Sequence, residues 1–505
     1  MKKILVLLIV LCLSVSLYAG GNKETAPAQG KLVITMAADE FLQFGGDPLG
    51  DFIENKFNVD IVPILQEGDI NTYLRLWAAA DNLPDTFTGY PATQSWFSEF
   101  VGQELIRTIP YSMISKYPNL KKMVDNHSLT QEMKTFLGDY YYLPRAYSMT
   151  NMVIGSPNGI YYRKDWAEKL GYRERPKDME TFYNMLKDFT LKDPDGNRLN
   201  DTYGYIGSLT PLYAPFGAFP SQWVKGPNNQ YIPGWSDEAP MLEALTWLRR
   251  IFSEGILDPE FTSLYTAVSS NFAQNVFGAM ARNIDTFWVN RHVIEEFGGA
   301  HPGIDPLKTV DMIGSLSAKP GGTRYAAPRF DSAGLVFSVD CSDAKLDRLL
   351  QLYDWLISDE GNIFRYWGFK DTDYRVNADG SFTKLVVGDP LLRLKYPSII
   401  IQNWPTFDFD YGLFDNPDYS QNTKNAVREY YQQANEGAAN AYNKVNALAS
   451  TIITEERSLF TFNSNLVPII SGSGDVAVMY REFIANANRS GLQNVIKSVN
   501  DALKK

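Results

Sequence analysis

Histidine and cysteine are scarce: three and two among 505 residues. His127, His292 and His301 give general acid–base chemistry little to work with. No Walker loop is present, no G-x-G-x-x-G follows a strand-like run, and neither H-E-x-x-H nor a zinc-spaced Cys/His cluster occurs. Ser471-Gly472-Ser473-Gly474 lacks the G-x-S-x-G spacing of a nucleophile elbow. Basic residues are also in short supply, 47 Lys+Arg against 58 Asp+Glu, for a net charge of −11. Phosphate binding depends on Lys and Arg, so this balance argues against nucleic acid as a partner. Past the N-terminus no uncharged apolar run approaches the ~20 residues of a membrane span. Carboxylates are plentiful, and a glycosidase needs only two of them facing across a sugar. A secreted glycoside hydrolase therefore stays open as a rival to any binding function.

The first residues set the compartment. Lys2 and Lys3 precede an apolar run from Ile4 to Leu13 and then small residues to Gly21. That order is a secretory signal peptide over 1–21, with Ala19 and Gly21 suited to the −3 and −1 positions and cleavage after Ala19 also open. The chain is thus expected in the periplasm or cell envelope. Cys12 follows Ile9-Val10-Leu11 rather than the small residues of a lipoprotein signal, which argues against lipidation. Losing Lys2 and Lys3 with the leader leaves 45 basic against 58 acidic residues and a net charge of −13. Cys341 then has no internal partner, so it is expected to be buried and inert. Residues 22–30 are small and polar, a flexible tether.

With 45% hydrophobic residues and this length, two to four folded domains are expected. Strand-like and helix-like runs alternate from the start: 31–37, 47–57, 59–64, 69–80 and 85–90. That is the pattern of an α/β layer, in which ligands bind beyond the carboxyl ends of the strands. Attention falls on 38–43 and 89–96. Amphipathic helices are predicted over 178–192, 240–254 with Gly255 as its stop, 344–358 and 492–503.

Two local signals stand out. Asp193, Asp195, Asn197 and Asp201 place oxygen donors at alternate positions, with a backbone carbonyl at Leu199, like the start of an EF-hand loop. Arg198 stands where that turn wants Gly, and Gly204 where a bidentate Glu is expected. A plain Asx-rich turn explains the same residues. The second signal is the 13% aromatic content. Sugar C–H faces pack on aromatic rings while hydroxyls seek charged or amide groups, so aromatics in polar surroundings suit a saccharide cleft. Tyr90, Trp96, Trp288, Trp367 and Trp404 lie in such surroundings, whereas Trp247 and Trp355 fall within amphipathic helices and are expected in the core.

Ordered motifs add to these signals. Leu83-Pro84-Asp85, the run from Gly159 through Tyr162 and Trp166 to Gly171, and Asp193–Tyr203 resemble segments of the family 1 extracellular solute-binding proteins of ABC importers. Ser253–Phe261, Asp354–Gly361 and Asp373–Gly380 follow in the family's order. The similarity is greatest to the long subgroup that includes alginate-oligosaccharide-binding proteins. It implies an α/β fold, a two-lobe periplasmic-binding-protein clamshell with mixed or parallel sheets flanked by helices. It places 31–150 with 312–357 in an N-terminal lobe and 151–311 with 358–505 in a C-terminal lobe. Crossings fall near 147–158 and 312–325, with Gly155, Gly159 and Gly321-Gly322 as permissive hinge points.

The resemblance further implies a monomeric, non-enzymatic protein that captures a carbohydrate between its lobes and delivers it to membrane permease subunits. A non-sugar solute stays open. The residues it points to are Asp39, Glu40 and Gln43 after the first strand, Tyr90 and Trp96 after the third, and Asp285 and Trp288 at the end of Gly278–Trp288. Arg145 and Arg329 are candidate partners of hydroxyls or carboxylates, and Trp367 and Trp404 complete the aromatic set. No cofactor is required. In the subgroup the Asp-rich loop binds calcium, which would make Asp193, Asp195, Asn197, Leu199 and Asp201 a structural calcium site; Thr202 replaces the Glu usually found next.

Overall fold

A computed structural model of the chain describes residues 30–37, 44–64, 70–89, 95–145, 158–262, 267–284, 286–326, 334–385, 392–400, 421–440 and 462–504. Two main sheets organise it. In the first, strands Leu32–Ala37, Val59–Ile64 and Thr86–Gly89 run parallel, Gly334–Phe337 lies antiparallel to Thr86–Gly89, and Leu143–Pro144 pairs antiparallel with Gly334–Phe337. In the second, Asn158–Arg163 is flanked by the antiparallel strands Val310–Ile313 and Phe277–Asn283, and Tyr203–Gly207 runs parallel to Phe277–Asn283. Helices cover both, as the alternating sequence pattern requires.

Local chemistry sets the element ends. Asp47 caps helix Pro48–Phe57 by accepting from the Leu49 and Gly50 N–H groups, and Asn58 ends it in the left-handed region. Asp178 caps helix Met179–Leu191 and Ser342 caps Asp343–Leu356 in the same way. Helix Glu238–Ser253 stops where expected, with Gly255 at φ 69°. Each sheet has apolar packing on two sides. For the first sheet, Ile34, Val59, Leu335 and Leu349 lie in one cluster and Phe87, Trp96 and Val336 in another. Tyr162, Phe189 and Leu245 belong to one second-lobe cluster, Tyr161, Phe272 and Met280 to the other.

The lobe boundaries differ from expectation in two places. Val310–Ile313 pairs with Asn158–Arg163, and the following hairpin touches Asp178 through Ser317, so 310–326 belongs to the second lobe. The chain is next described at Gly334, in the first sheet. Gly321, at φ 73°, sits in the turn of that hairpin rather than at a hinge. Gly159 serves packing: a Cβ there would come within 2.4 Å of Ile284 Cγ2. The second difference is that helix Asp359–Trp367 and the described residues of 392–400 stay with the first lobe. Phe364 and Tyr396 lie in its core, and Ser398 N–H donates to Asp47 at 2.8 Å. The C-terminal helices from Gln421 onward do join the second lobe, where Tyr430, Leu466 and Tyr480 are buried. No helix among the described residues is long and apolar enough to cross a membrane.

Candidate functional site

The register brings several chain passages to one edge of the first sheet. Ala37 is opposite Phe87, Gly89 is opposite Gly334, and Gly334 is opposite Pro144. The chain thus leaves this edge after Ala37, Gly89 and Arg145 and returns to it at Gly334. Those are the positions where the expected ligand segments attach. Asp39, Glu40, Gln43, Tyr90 and Arg329 themselves lie outside the described residues, as do Asp285 and Trp404. Arg145 is buried at the end of its short strand. At the second sheet the first crossing enters at Asn158, which is paired with Asn283, so Ile284 and Trp288 follow directly at that edge.

Trp288 stands in the short helix Thr286–Val289 and is half-buried. Its ring stacks on His292, with centroids 5.2 Å apart and planes 17° from parallel. Arg291 Cζ lies 5.8 Å from the indole centroid. The chain here is π-helical over Asn290–Phe297, a rare geometry that recurs at functional sites. His292 Nδ1 is 2.8 Å from Ser269 Oγ and 3.7 Å from Glu296 Oε2, and Tyr161 meets its ring edge-on at 6.2 Å. Burial pushes the imidazole pKa below its usual value despite the Glu296 carboxylate, which keeps the ring neutral at neutral pH. The sequence expectation named Trp288 and did not name His292 or Glu296. Their spacing, i, i+4 and i+8 from Trp288, was the available signal.

Two other aromatic expectations are corrected. Trp96 is 1% exposed, with Phe87, Phe97 and Phe100 around it at centroid distances of 5.3–5.9 Å. A ring enclosed in this way packs the core and has no face for a ligand. Trp367 is 5% exposed and covered by Tyr374 and Phe382 of a small hairpin. Trp247 is buried in the second-lobe core and Trp355 packs on the first, as expected.

The Asp-rich loop is a tight turn. Gly196 and Arg198 N–H donate to Asp193, Asn197 N–H to Asp195, and Leu199 N–H to Asn197 Oδ1. Asn197 Nδ2 donates to both oxygens of Asp201 at 3.1 and 3.2 Å. Desolvation and the adjacent Asp193 and Asp201 carboxylates push Asp195 up. Crowded carboxylates of this kind are relieved by a divalent cation, so donor type and spacing fit calcium. The side chains are not drawn to one point: among the described residues no three acidic, His or Cys side chains form a metal-sized group.

With this geometry in hand, comparisons place the fold. No protein-family model matches the chain. Lipoprotein LipO of Bacillus subtilis (strain 168) is 24% identical over 363 residues, covering 65% of this chain and 70% of that protein. The polygalacturonan/rhamnogalacturonan-binding protein YtcQ of the same organism is 24% identical over 281 residues, 54% of this chain and 52% of YtcQ. Among solved structures, the alginate-binding protein AlgQ2 without calcium ion superposes with a TM-score of 0.67 at 16% identity, over 96% of this chain and 100% of that one. The S. pneumoniae ABC-transporter substrate-binding protein FusA in complex with kestose gives 0.61 at 15%, over 94% and 99%. The fold is that of the ABC-importer solute-binding proteins, two lobes of mixed sheets flanked by helices, as the motif order implied. AlgQ2, FusA and YtcQ are described as binding proteins.

Proposed function

We propose that the protein is an extracytoplasmic solute-binding protein that captures an oligosaccharide between its lobes and delivers it to the permease subunits of an ABC importer. The observation that carries this reading is the likeness over nearly the whole chain to AlgQ2 and FusA, described as binding alginate and substrate with kestose bound. Support comes from the site: chain crossings join the two sheet edges where Trp288 and the expected first-lobe segments attach. A flat indole suits the C–H face of a pyranose. A ligand touching both lobes favours the closed arrangement because it gains contacts only there. The protein acts as a monomer, secreted through its N-terminal leader.

The test is thermal shift of the purified protein against neutral and uronic-acid oligosaccharides. A true ligand at 100 times its Kd raises stability by ~2.7 kcal/mol. Product formation from the same sugars points instead to a hydrolase, and a shift with a peptide or polyamine alone points to a different solute. We also propose that Asp193, Asp195, Asn197, Asp201 and the Leu199 carbonyl hold a structural calcium ion, which would neutralise the crowded carboxylates and brace the turn between helix Met179–Leu191 and strand Tyr203–Gly207.

A further inference from the structure

We infer that His292 is a positioning residue for Trp288, a flat backing wall that fixes the indole plane against which the sugar stacks. This rests on the reading of Trp288 as a ligand contact under the proposed function. Ordering a side chain on binding costs free energy, so a residue that holds the indole in its binding orientation in advance lowers that cost. His292 has the geometry for it. Its ring is nearly parallel to the indole, 2% exposed, and one helical turn further along the chain. Two other elements and a neighbour on its own helix surround the imidazole. Ser269, buried on helix Val268–Ala273, meets Nδ1 at 2.8 Å. Tyr161 abuts the ring edge-on, and its own hydroxyl donates to Asn283 O at 2.6 Å, tying the stack to the end of the central strand. Glu296 lies 3.7 Å from Nδ1 and pairs with Arg291 at 3.4 Å. The indole is thus referenced through His292 to the sheet edge where the first crossing enters.

The experiment compares the parent with Trp288→Ala, His292→Ala, His292→Phe and Ser269→Ala by calorimetry with the saccharide that shifts the parent. Near-UV circular dichroism is read as the difference from Trp288→Phe, which isolates the Trp288 signal. Trp288→Ala should weaken binding by about thirtyfold or more, as loss of a buried aromatic anchor does. His292→Ala should weaken it about three- to tenfold, the worth of an aromatic pair, and diminish the Trp288 dichroism. His292→Phe, which restores a flat ring without the Ser269 bond, should recover part of both; Ser269→Ala should move both in the direction of His292→Ala and carries the test if His292→Ala does not fold. Parent-like affinity and dichroism in His292→Ala, or a His292→Phe as weak as His292→Ala, overturns the inference while the binding reading stands. If no saccharide shifts the parent, the function is wrong; if Trp288→Ala binds like the parent, the contact assignment is.

Discussion

Lys345 Nζ lies 2.8 Å from each carboxylate oxygen of Asp85, joining residues 260 positions apart. The same carboxylate accepts from Thr35 N–H at 2.8 Å and from the Thr35 hydroxyl at 2.9 Å. Asp85 ends the Leu83-Pro84-Asp85 motif, and this latch explains the residue: it fastens the first strand, the third strand and the returning helix Asp343–Leu356 to one another.

Replacing Asp85 with Ala leaves the partly buried Thr35 N–H and the Lys345 ammonium without their acceptor. The expected loss is about 2–4 kcal/mol. Lys345→Met, which leaves the Thr35 bonds intact and removes a partly exposed charge, should cost about 1 kcal/mol or less. Urea midpoints of the two variants check the order. Equal losses would show that the ion pair rather than the strand latch dominates.

Elements were legible where local chemistry sets them. The caps Asp47, Asp178 and Ser342 and the stop at Gly255 fall within two residues of the predicted bounds. Lobe boundaries were not, because they depend on pairing choices no local pattern encodes. Val310–Ile313 is a short strand whose sequence suits either sheet, and only its register with Asn158–Arg163 decides. Ser398 reaches Asp47 across 351 residues. At the candidate site, the segment ending at Trp288 makes that indole an expectation, but the stacking of His292 on it is visible only where one ring lies parallel to the other.

The Asp47–Ser398 contact offers a second measurement. Ser398 Oγ accepts from Gly45 N–H at 2.9 Å, and a Cβ at Gly50 would come within 2.7 Å of that oxygen. Gly50→Ala would gain helix propensity in open solvent, but here overpacking should make it destabilising by about 1–3 kcal/mol. In a Ser398→Ala background the clash is relieved and the same substitution should cost less by at least ~0.5 kcal/mol. A double-mutant cycle of melting data that closes to zero would sink this account.

Acid should weaken the fold through His127. Its Nδ1 caps helix Ser128–Leu137 by accepting from Thr130 N–H, and burial lowers its pKa from 6.5 to about 4. As pH falls, the unfolded chain takes up this proton first. The stability tied to neutral His127 is therefore complete above pH 6.5 and is lost progressively down to about 4, by about 3 kcal/mol in all. His292, whose pKa burial also lowers, adds to the loss in the same direction. His127→Asn keeps a capping acceptor and cannot titrate, so its urea midpoint should fall less between pH 7 and 4.5. A pH dependence identical to the parent's would assign the acid sensitivity elsewhere.

In the Asp-rich loop Arg198 holds φ 68°, the left-handed region that favours glycine. Arg198→Gly removes a conformational cost of about 1–2 kcal/mol, partly offset by glycine's greater freedom when unfolded, for a net gain of up to about 1 kcal/mol. If the loop holds calcium, adding the ion should raise the melting temperature, a chelator should reverse the rise, and Arg198→Gly should reach half-saturation at lower calcium. Asp195→Asn should abolish the response. A melting temperature indifferent to both calcium and chelator leaves a plain Asx turn.

Trp96 and Trp288 differ in burial: Trp96 is 1% exposed and Trp288 is half-buried. Trp96 lies in helix Ser95–Gly102, where Phe97 and Phe100 carry the apolar face and the i, i+4 pair with Phe100 marks it as core. Trp96→Ala should cost about 3–5 kcal/mol through the cavity it leaves. Trp96→Phe should cost less, and its folded form should bind saccharide with unchanged affinity, because the ring it replaces is 1% exposed and packs on Phe87, Phe97 and Phe100. Trp288→Ala should show the reverse, a modest change in melting temperature with a large loss of affinity. Calorimetry and thermal melts on the same preparations decide it: an affinity loss in Trp96→Phe without a matching loss of stability would place Trp96 at the ligand after all.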